Sequence, residues 1–131
     1  TSQTFSCSLT NVDPQCTRVG NAANSCGIHI HQGTSCEINA QGHYYKTPVT
    51  QDPWTNVIYR SSTATATGAQ SNVPSTLVNT GATELEVTGK TMIVHGYDGG
   101  RIACAVLQAS GGGAGGPGAS LSARNFVKYF K

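Results

Sequence analysis

The sequence predicts an all-β domain, and its amino-acid composition supports this class. Charged residues make up only 11% of the 131 residues, hydrophobic residues make up 37%, and 16 residues are glycine. Threonine, serine, asparagine and valine are abundant, and this mixture favours strands joined by long turns over helices. A chain of this length is sufficient for one domain with its own core.

Charge and hydropathy exclude several classes of protein. The net charge of +2 is too small and too scattered for a nucleic-acid surface. No apolar run approaches the roughly 20 residues that cross a bilayer, so we expect no transmembrane segment. The chain begins at Thr1, without an initiating Met or a visible signal peptide, so we expect a processed or excised piece.

The first predicted strand is TFSCSLT, residues 4–10, in which Phe5, Cys7 and Leu9 alternate towards the interior. Residues 11–26 are polar and rich in turn-forming residues, so they predict a loop. Cysteines stand near both ends of this loop, and a bridge between them would staple it.

Two histidines share one face of the next predicted strand, residues 27–32. Side chains alternate faces along a strand, so His29 and His31 point one way while Ile28 and Ile30 point the other. Two imidazoles about 7 Å apart can converge on one ion by using different ring nitrogens. Because the motif is short, a pair of surface histidines on a half-exposed strand is the alternative.

The rest of the body contains a long irregular stretch and further strands. The irregular stretch runs from Gly33 to about Pro53 and holds His43. After it, a turn and a connection through Pro74 separate two strand patterns. The remaining predicted strands are 57–67, 85–96 with an interruption near Gly89, and 101–109.

The C-terminal part differs in character from the body. A glycine-rich run predicts a flexible linker, and an aromatic and basic tail follows it. Phe126, Tyr129 and Phe130 suit a helical stripe, whereas a strand fits the same segment equally well. An added strand, an amphipathic helix and a segment that docks on another protein all stay open. The predicted divisions are a body at 1–109, a linker at 110–120 and a tail at 121–131.

Five cysteines in so short a chain favour an oxidising compartment. We therefore expect a secreted or extracellular protein, or one in an organelle lumen. A set of buried free thiols is the alternative. No Cys-x-x-Cys pair is present, which argues against a thiolate zinc site.

The other two histidines are His43, in QGHYY, and His95, in MIVHGYDGG. Alone, His43 would be an ordinary loop residue and His95 a structural histidine at a strand end. Together with His29 and His31 they use every histidine in the chain. This completeness favours one shared site over four unrelated positions.

Four segments, in this order, resemble the Cu,Zn superoxide dismutases: CGIHIHQGTSC, GHYY, GKTMIVHG and GGRIACAVL. The resemblance implies a Greek-key β-sandwich or barrel. It also implies a copper site, with Arg101 beside the copper. The copper ligands that it assigns are His29, His31, His43 and His95. The cysteine assignments are a Cys36–Cys104 bridge, a Cys16–Cys26 bridge across the polar loop, and an unpaired, inward-facing Cys7.

Two departures from the family point to copper without zinc. No histidine lies between His43 and the next strand, where the family carries further zinc ligands, and the long charged loop before the arginine is reduced to residues 96–100. Both features are typical of the copper-only superoxide dismutases and the copper-only repeat proteins. Without zinc, His43 needs another orienting partner, and we assign Asp52. A turn carboxylate before Pro53 is the alternative for Asp52.

A third departure is the absence of the two strands that open the family barrel. The resemblance therefore implies a barrel without its first hairpin, whose open edge is closed by the C-terminal tail or by a protein partner.

The resemblance implies an enzyme that converts superoxide to dioxygen and hydrogen peroxide. In that scheme Arg101 attracts the superoxide anion, and His43 acts as the general acid. Two other functions stay open. One is a structural or interaction subunit of a larger assembly, and the other is copper storage or delivery without turnover.

Overall fold

The computed structural model describes residues 1–62, 69–110, 120–123 and 127–128. Strands dominate, which confirms the all-β class. No helix in these ranges is long and apolar enough to span a membrane. The elements in chain order are β1 (Ser2–Val12), β2 (Ile28–His31), β3 (Ala69–Asn79), α1 (Glu84–Val87), β4 (Thr91–His95), β5 (Arg101–Ser110), β6 (Ser120–Ala123) and β7 (Val127–Lys128).

The strands form two sheets in which every pairing is antiparallel. β1 and β3 make a two-stranded sheet, and β2, β4, β5 and β6 follow one another in a five-stranded sheet whose fifth member, β7, also pairs with β5. The Greek-key connection implied by the resemblance stays a prediction.

The described parts of the C-terminal tail are strands. β6 pairs with β5 at Leu107–Ser110, and β7 pairs with it at Ala103–Cys104, so the backbone of β5 has partners on both edges. An added strand is thus the alternative that fits these two segments. Most of the predicted linker, residues 111–119, lies outside the described residues, as do residues 124–126 and 129–131.

The two faces of the larger sheet have different roles. Ile28 and Ile30 are buried in the main core, together with Met92 and Val94 of β4, and Leu9 of β1 belongs to the same cluster. The alternate residues of β2 and β4, among them the three strand histidines His29, His31 and His95, occupy the opposite face. A small second cluster of Ala40, Ile93, Cys36 and Cys104 lies on that face and ties the 33–53 loop to the sheet.

The predicted strand at 57–67 is wrong over its described part. Residues 57–62 form only a single bridge, Gly27 with Ile58, and the rest lies outside the described residues. The backbone N–H of Tyr59 instead donates to Cys26, and that of Ser61 to Cys16. These bonds join the segment to the loop that the Cys16–Cys26 disulfide closes. The backbone of that loop is irregular, so it does not extend a ladder of strand hydrogen bonds.

The strand in this region lies at 69–79, where the sequence predicted a turn and a connection. Pro74 is tolerated because the register shifts there. Phe5 pairs with Thr76 and Cys7 with Val73, so Pro74 lies in a bulge, where its missing N–H costs no ladder bond.

The predicted strand at 85–96 is half right. Its first part is the helical turn α1, which Thr83 begins with a capping box: Thr83 Oγ1 accepts from the Glu86 N–H, and the Glu86 carboxylate accepts from the Thr83 N–H. Gly89, with φ of +85°, then interrupts the regular structure, as predicted, and β4 begins at Thr91.

Both predicted disulfides are present, Cys16–Cys26 and Cys36–Cys104. Two bridges are compatible with a non-cytosolic, oxidising location. Cys7 is the free cysteine and is half-buried rather than fully buried. Burial raises the pKa of its thiol to about 11, so it stays protonated and unreactive at neutral pH.

Candidate metal centre

Three structural elements bring the four histidines together. β2 supplies His29 and His31, the end of β4 supplies His95, and the irregular loop supplies His43, which forms an isolated bridge with His31. One nitrogen from each ring lies within 4.8 Å of the other three. His29, His31 and His95 are at most 2% exposed, whereas the side chain of His43 is 12% exposed.

Hydrogen bonds to acceptors fix the tautomer of every ring. Carbonyl and carboxylate oxygens only accept, so each ring nitrogen that faces one must carry the hydrogen. The four bonds run from His29 Nε2 to Val57 O (2.9 Å), His31 Nδ1 to Gln41 O (2.8 Å), His95 Nδ1 to Gly99 O (2.9 Å) and His43 Nδ1 to Asp52 Oδ2 (2.6 Å).

The other nitrogen of each ring therefore carries a lone pair, and the four lone pairs converge. His29 Nδ1 is buried with no hydrogen-bond partner among the described residues, and His95 Nε2 lies 3.4 Å from His31 Nε2. Two acceptors so close repel each other unless a cation or a proton lies between them. Nitrogen–metal bonds of about 2.0–2.1 Å place opposite ligands about 4.2 Å apart, so small ring movements suffice for one ion. The donor set fits a metal ion.

The buried rings are neutral, which is the state that binds a metal. Burial lowers the pKa of His29 to about 2 and that of His31 to about 4, with smaller contributions from neighbouring positive charge. Burial also lowers the pKa of His95 below its ordinary value. At neutral pH these three lone pairs are available.

Asp52 lies where the sequence assigned it, beside His43. Its Oδ2 accepts from His43 Nδ1, and its Oδ1 accepts from the backbone N–H of Trp54 at 2.9 Å. Both sequence alternatives describe this side chain, because one oxygen closes a turn and the other holds the imidazole. The turn fixes the carboxylate against the ring.

Arg101, the first residue of β5, faces the same pocket as His43. An open pocket is lined by His31, His43, Asp52, Arg101, Asn24 and Tyr45, among others. The guanidinium donates from Nη1 to Asn39 Oδ1 at 3.2 Å and from Nη2 to Gln41 O at 2.5 Å. The structure thus brings the predicted arginine, acid and ligands to one place.

Sequence reasoning missed Gly27. A Cβ on Gly27 would lie 2.1 Å from Cε1 of His29, so the ring folds back over this glycine. That position lets Nε2 reach Val57 O and turns Nδ1 inwards. A glycine two residues before a histidine on one strand was the available signal, since glycine in a strand marks a close approach.

Trp54 was also missed as part of the site. It is fully buried, its ring centroid is 6.0 Å from that of His29, and its Nε1 donates to Tyr44 O at 2.9 Å. This indole packs beside the His29 ring and anchors the segment that carries Asp52.

Comparison with family models, curated proteins and solved structures finds no match to this chain.

Proposed function

We propose that the protein catalyses copper-dependent superoxide dismutation, in which two superoxide anions and two protons give dioxygen and hydrogen peroxide. The observation that carries the proposal is the convergence of four imidazole lone pairs beside an open pocket that contains one guanidinium. Imidazole ligands suit copper, and the order of metal affinities favours Cu²⁺ among divalent ions. The motif resemblance supports the same assignment, including the absence of zinc and the Greek-key fold.

His29, His31, His43 and His95 would hold the copper. Bound copper would supply a one-electron couple that takes an electron from one superoxide and gives it to the next. Three of the rings are fixed by backbone carbonyls and kept neutral by burial. A ligand set held in this way needs only small ring movements to bind the ion.

Arg101 binds and orients the anionic substrate. Its guanidinium is held at the pocket by two neutral oxygens, so its positive charge stays directed at the opening. Such a charge raises the rate at which a small anion reaches the site.

His43 holds and transfers the proton. Asp52 Oδ2 accepts from the His43 Nδ1–H at 2.6 Å and so fixes the orientation of the ring. Because Nδ1 is hydrogen-bonded to Asp52, Nε2 is the nitrogen left for the cluster, and His43 also lines the pocket, so a proton held on Nε2 would be available to a substrate bound there.

The two disulfides support a location outside the cytosol, and we propose a secreted protein or one in an organelle lumen.

The test measures metal content and turnover on one sample of the full chain, after separate loading with copper and with zinc. We expect one copper per chain and fast dismutation by pulse radiolysis, with no turnover in the zinc-loaded sample. Tight copper binding without turnover would instead favour storage or delivery. Failure to retain copper would contradict the proposal.

A further inference from the structure

Within the residues that the structure describes, the guanidinium of Arg101 has two hydrogen-bond partners, and neither carries a charge. Asn39 Oδ1 accepts from Nη1, and Gln41 O accepts from Nη2. Neither ion pair found in the described part of the chain includes Arg101. The side chain is therefore oriented without its charge being neutralised, which is what an anion-binding arginine needs.

Asn39 also shapes the backbone that provides the second partner. Its Oδ1 accepts from the Gln41 N–H at 2.8 Å, which closes a tight turn, and Gln41 takes the left-handed conformation with φ of +63°. The Gln41 carbonyl then accepts from both Arg101 and His31 Nδ1. One amide oxygen thus contacts Arg101 directly and supports the carbonyl that holds Arg101 and a metal ligand.

A covalent link keeps the two sides of this contact together. The Cys36–Cys104 disulfide joins the loop just before Asn39 to the strand just after Arg101. Asn39 itself is exposed and belongs to neither core cluster, so packing does not account for its place.

We infer that Asn39 is a positioning residue for Arg101 and sets how tightly the pocket binds small anions. This inference rests on the proposed function of the pocket. Without Asn39, the guanidinium loses one of two anchors and samples more orientations, so anion binding must order it first. An aspartate at position 39 keeps the acceptor for Arg101 but neutralises its charge. The alanine variant thus tests the orientation of the guanidinium, and the aspartate variant tests its charge.

The experiment compares Asn39→Ala, Asn39→Asp and a matched control, Asn72→Ala. Asn72 is also exposed, and its Oδ1 accepts a hydrogen bond from Ser8 at 2.9 Å on the other sheet. The first measurement is the NMR order parameter of the Arg101 Nε–Hε bond in the metal-free full chain. The second is azide affinity of the copper-loaded full chain by optical titration, with the thermal midpoint measured alongside.

We expect Asn39→Ala to lower the Arg101 order parameter and to weaken azide binding about tenfold, the cost of one hydrogen bond to a charged group. Asn39→Asp keeps the order parameter of the natural chain yet weakens azide binding, most at low salt. Asn72→Ala changes neither quantity, and all thermal midpoints stay close to that of the natural chain.

An unchanged Arg101 order parameter in Asn39→Ala would overturn the inference. The order parameter is measured without metal or turnover, so it decides the role of Asn39 even in a chain that proves inactive. Conversely, an ordered Arg101 that loosens in Asn39→Ala, in a protein with no dismutation, would uphold the inference and reject the proposed enzyme.

Discussion

The floor and the mouth of the site are built in different ways. The floor consists of His29, His31 and His95, which are buried and fixed by backbone carbonyls. The mouth consists of His43 and Arg101, which face the pocket and are fixed in part by the side chains of Asp52 and Asn39. The part that must keep its geometry thus depends on the fold itself. The part that faces the pocket depends on partners that single substitutions can change.

Acidification should affect the metal-free floor most strongly. The pKa of His31 is lowered from 6.5 to about 4 and that of His29 to about 2. Below pH 6.5 these two histidines therefore bind protons in the unfolded chain but stay neutral in the folded chain. Above pH 6.5 both histidines are neutral in the folded and unfolded chain, and the free energy of unfolding is at its full value. As the pH falls from 6.5 towards 4 and below, the unfolded chain takes up protons and the free energy of unfolding decreases. Each histidine costs about 1.4 kcal/mol per pH unit in that window.

Urea unfolding of the metal-free chain between pH 7 and 4 measures this loss, and we expect several kcal/mol in total. His31→Leu removes one of the titrating groups and should flatten the pH dependence. A free energy of unfolding that stays constant down to pH 4 would show that the floor is not buried as described.

Reversing the charge at the mouth comes next. Arg101→Glu should slow dismutation about a hundredfold, because it repels the anion that the arginine attracts, while copper content stays unchanged. Arg60→Glu is the matched control, because it makes the same change in net charge away from the pocket. Arg60 is exposed and donates to the Thr17 carbonyl. Equal rates for the two variants in pulse radiolysis would mean that Arg101 has no special role.

Gly27→Ala should damage the floor without removing a ligand. The new methyl group would overlap the His29 ring, which has to move and carry Nδ1 out of the cluster. We expect copper affinity, measured by chelator competition, to fall about ten- to hundredfold, as for loss of a group that orients a ligand. Gly42→Ala is the control, because the nearest atom to its Cβ would be 3.8 Å away. Retained affinity in Gly27→Ala would show that the ring has another resting position.

Asp52→Asn should have the smallest effect of the set. The amide oxygen can still accept from His43 Nδ1, so orientation is kept while the negative charge is lost. We expect copper affinity and turnover each to fall by about tenfold or less, because a neutral amide holds the ring less firmly than a carboxylate does. Asp52→Ala should lose more of both. Identical values for the two variants would show that the hydrogen bond from His43 to residue 52 does not matter for binding or turnover.

Most side chains of the site could be predicted, because four short motifs resemble those of a known family and that resemblance assigns the histidines and Arg101, while Asp52 was assigned from its place in the loop. The structure brings all four histidines together, and Asp52 and Arg101 lie beside them. The groups that orient the floor could not be found in this way. Val57 and Gly99 act through backbone carbonyls, and any residue type supplies the same atom.

The fold was predictable in class but less so in its elements. Residues 57–67 end in alternating threonine and alanine, whereas residues 69–79 are mostly polar and include Pro74, so the pattern did not indicate the strand at 69–79. Pro74 argued against the correct strand because a bulge cannot be seen from one strand alone. The turn at Glu84–Val87 did have a visible signal, the Thr83 and Glu86 capping box, which was overlooked within an apolar pattern.

The pairing of β6 and β7 with β5 bears on how shortened versions of this protein would behave. A chain that ended at Ser110 would leave the N–H and C=O groups along that side of β5 without the partners they have here. Unpaired edges of this kind recruit strands from other molecules. Such a truncation could retain every histidine and both disulfides and still be lost to self-association, through a segment remote in sequence from the histidine cluster.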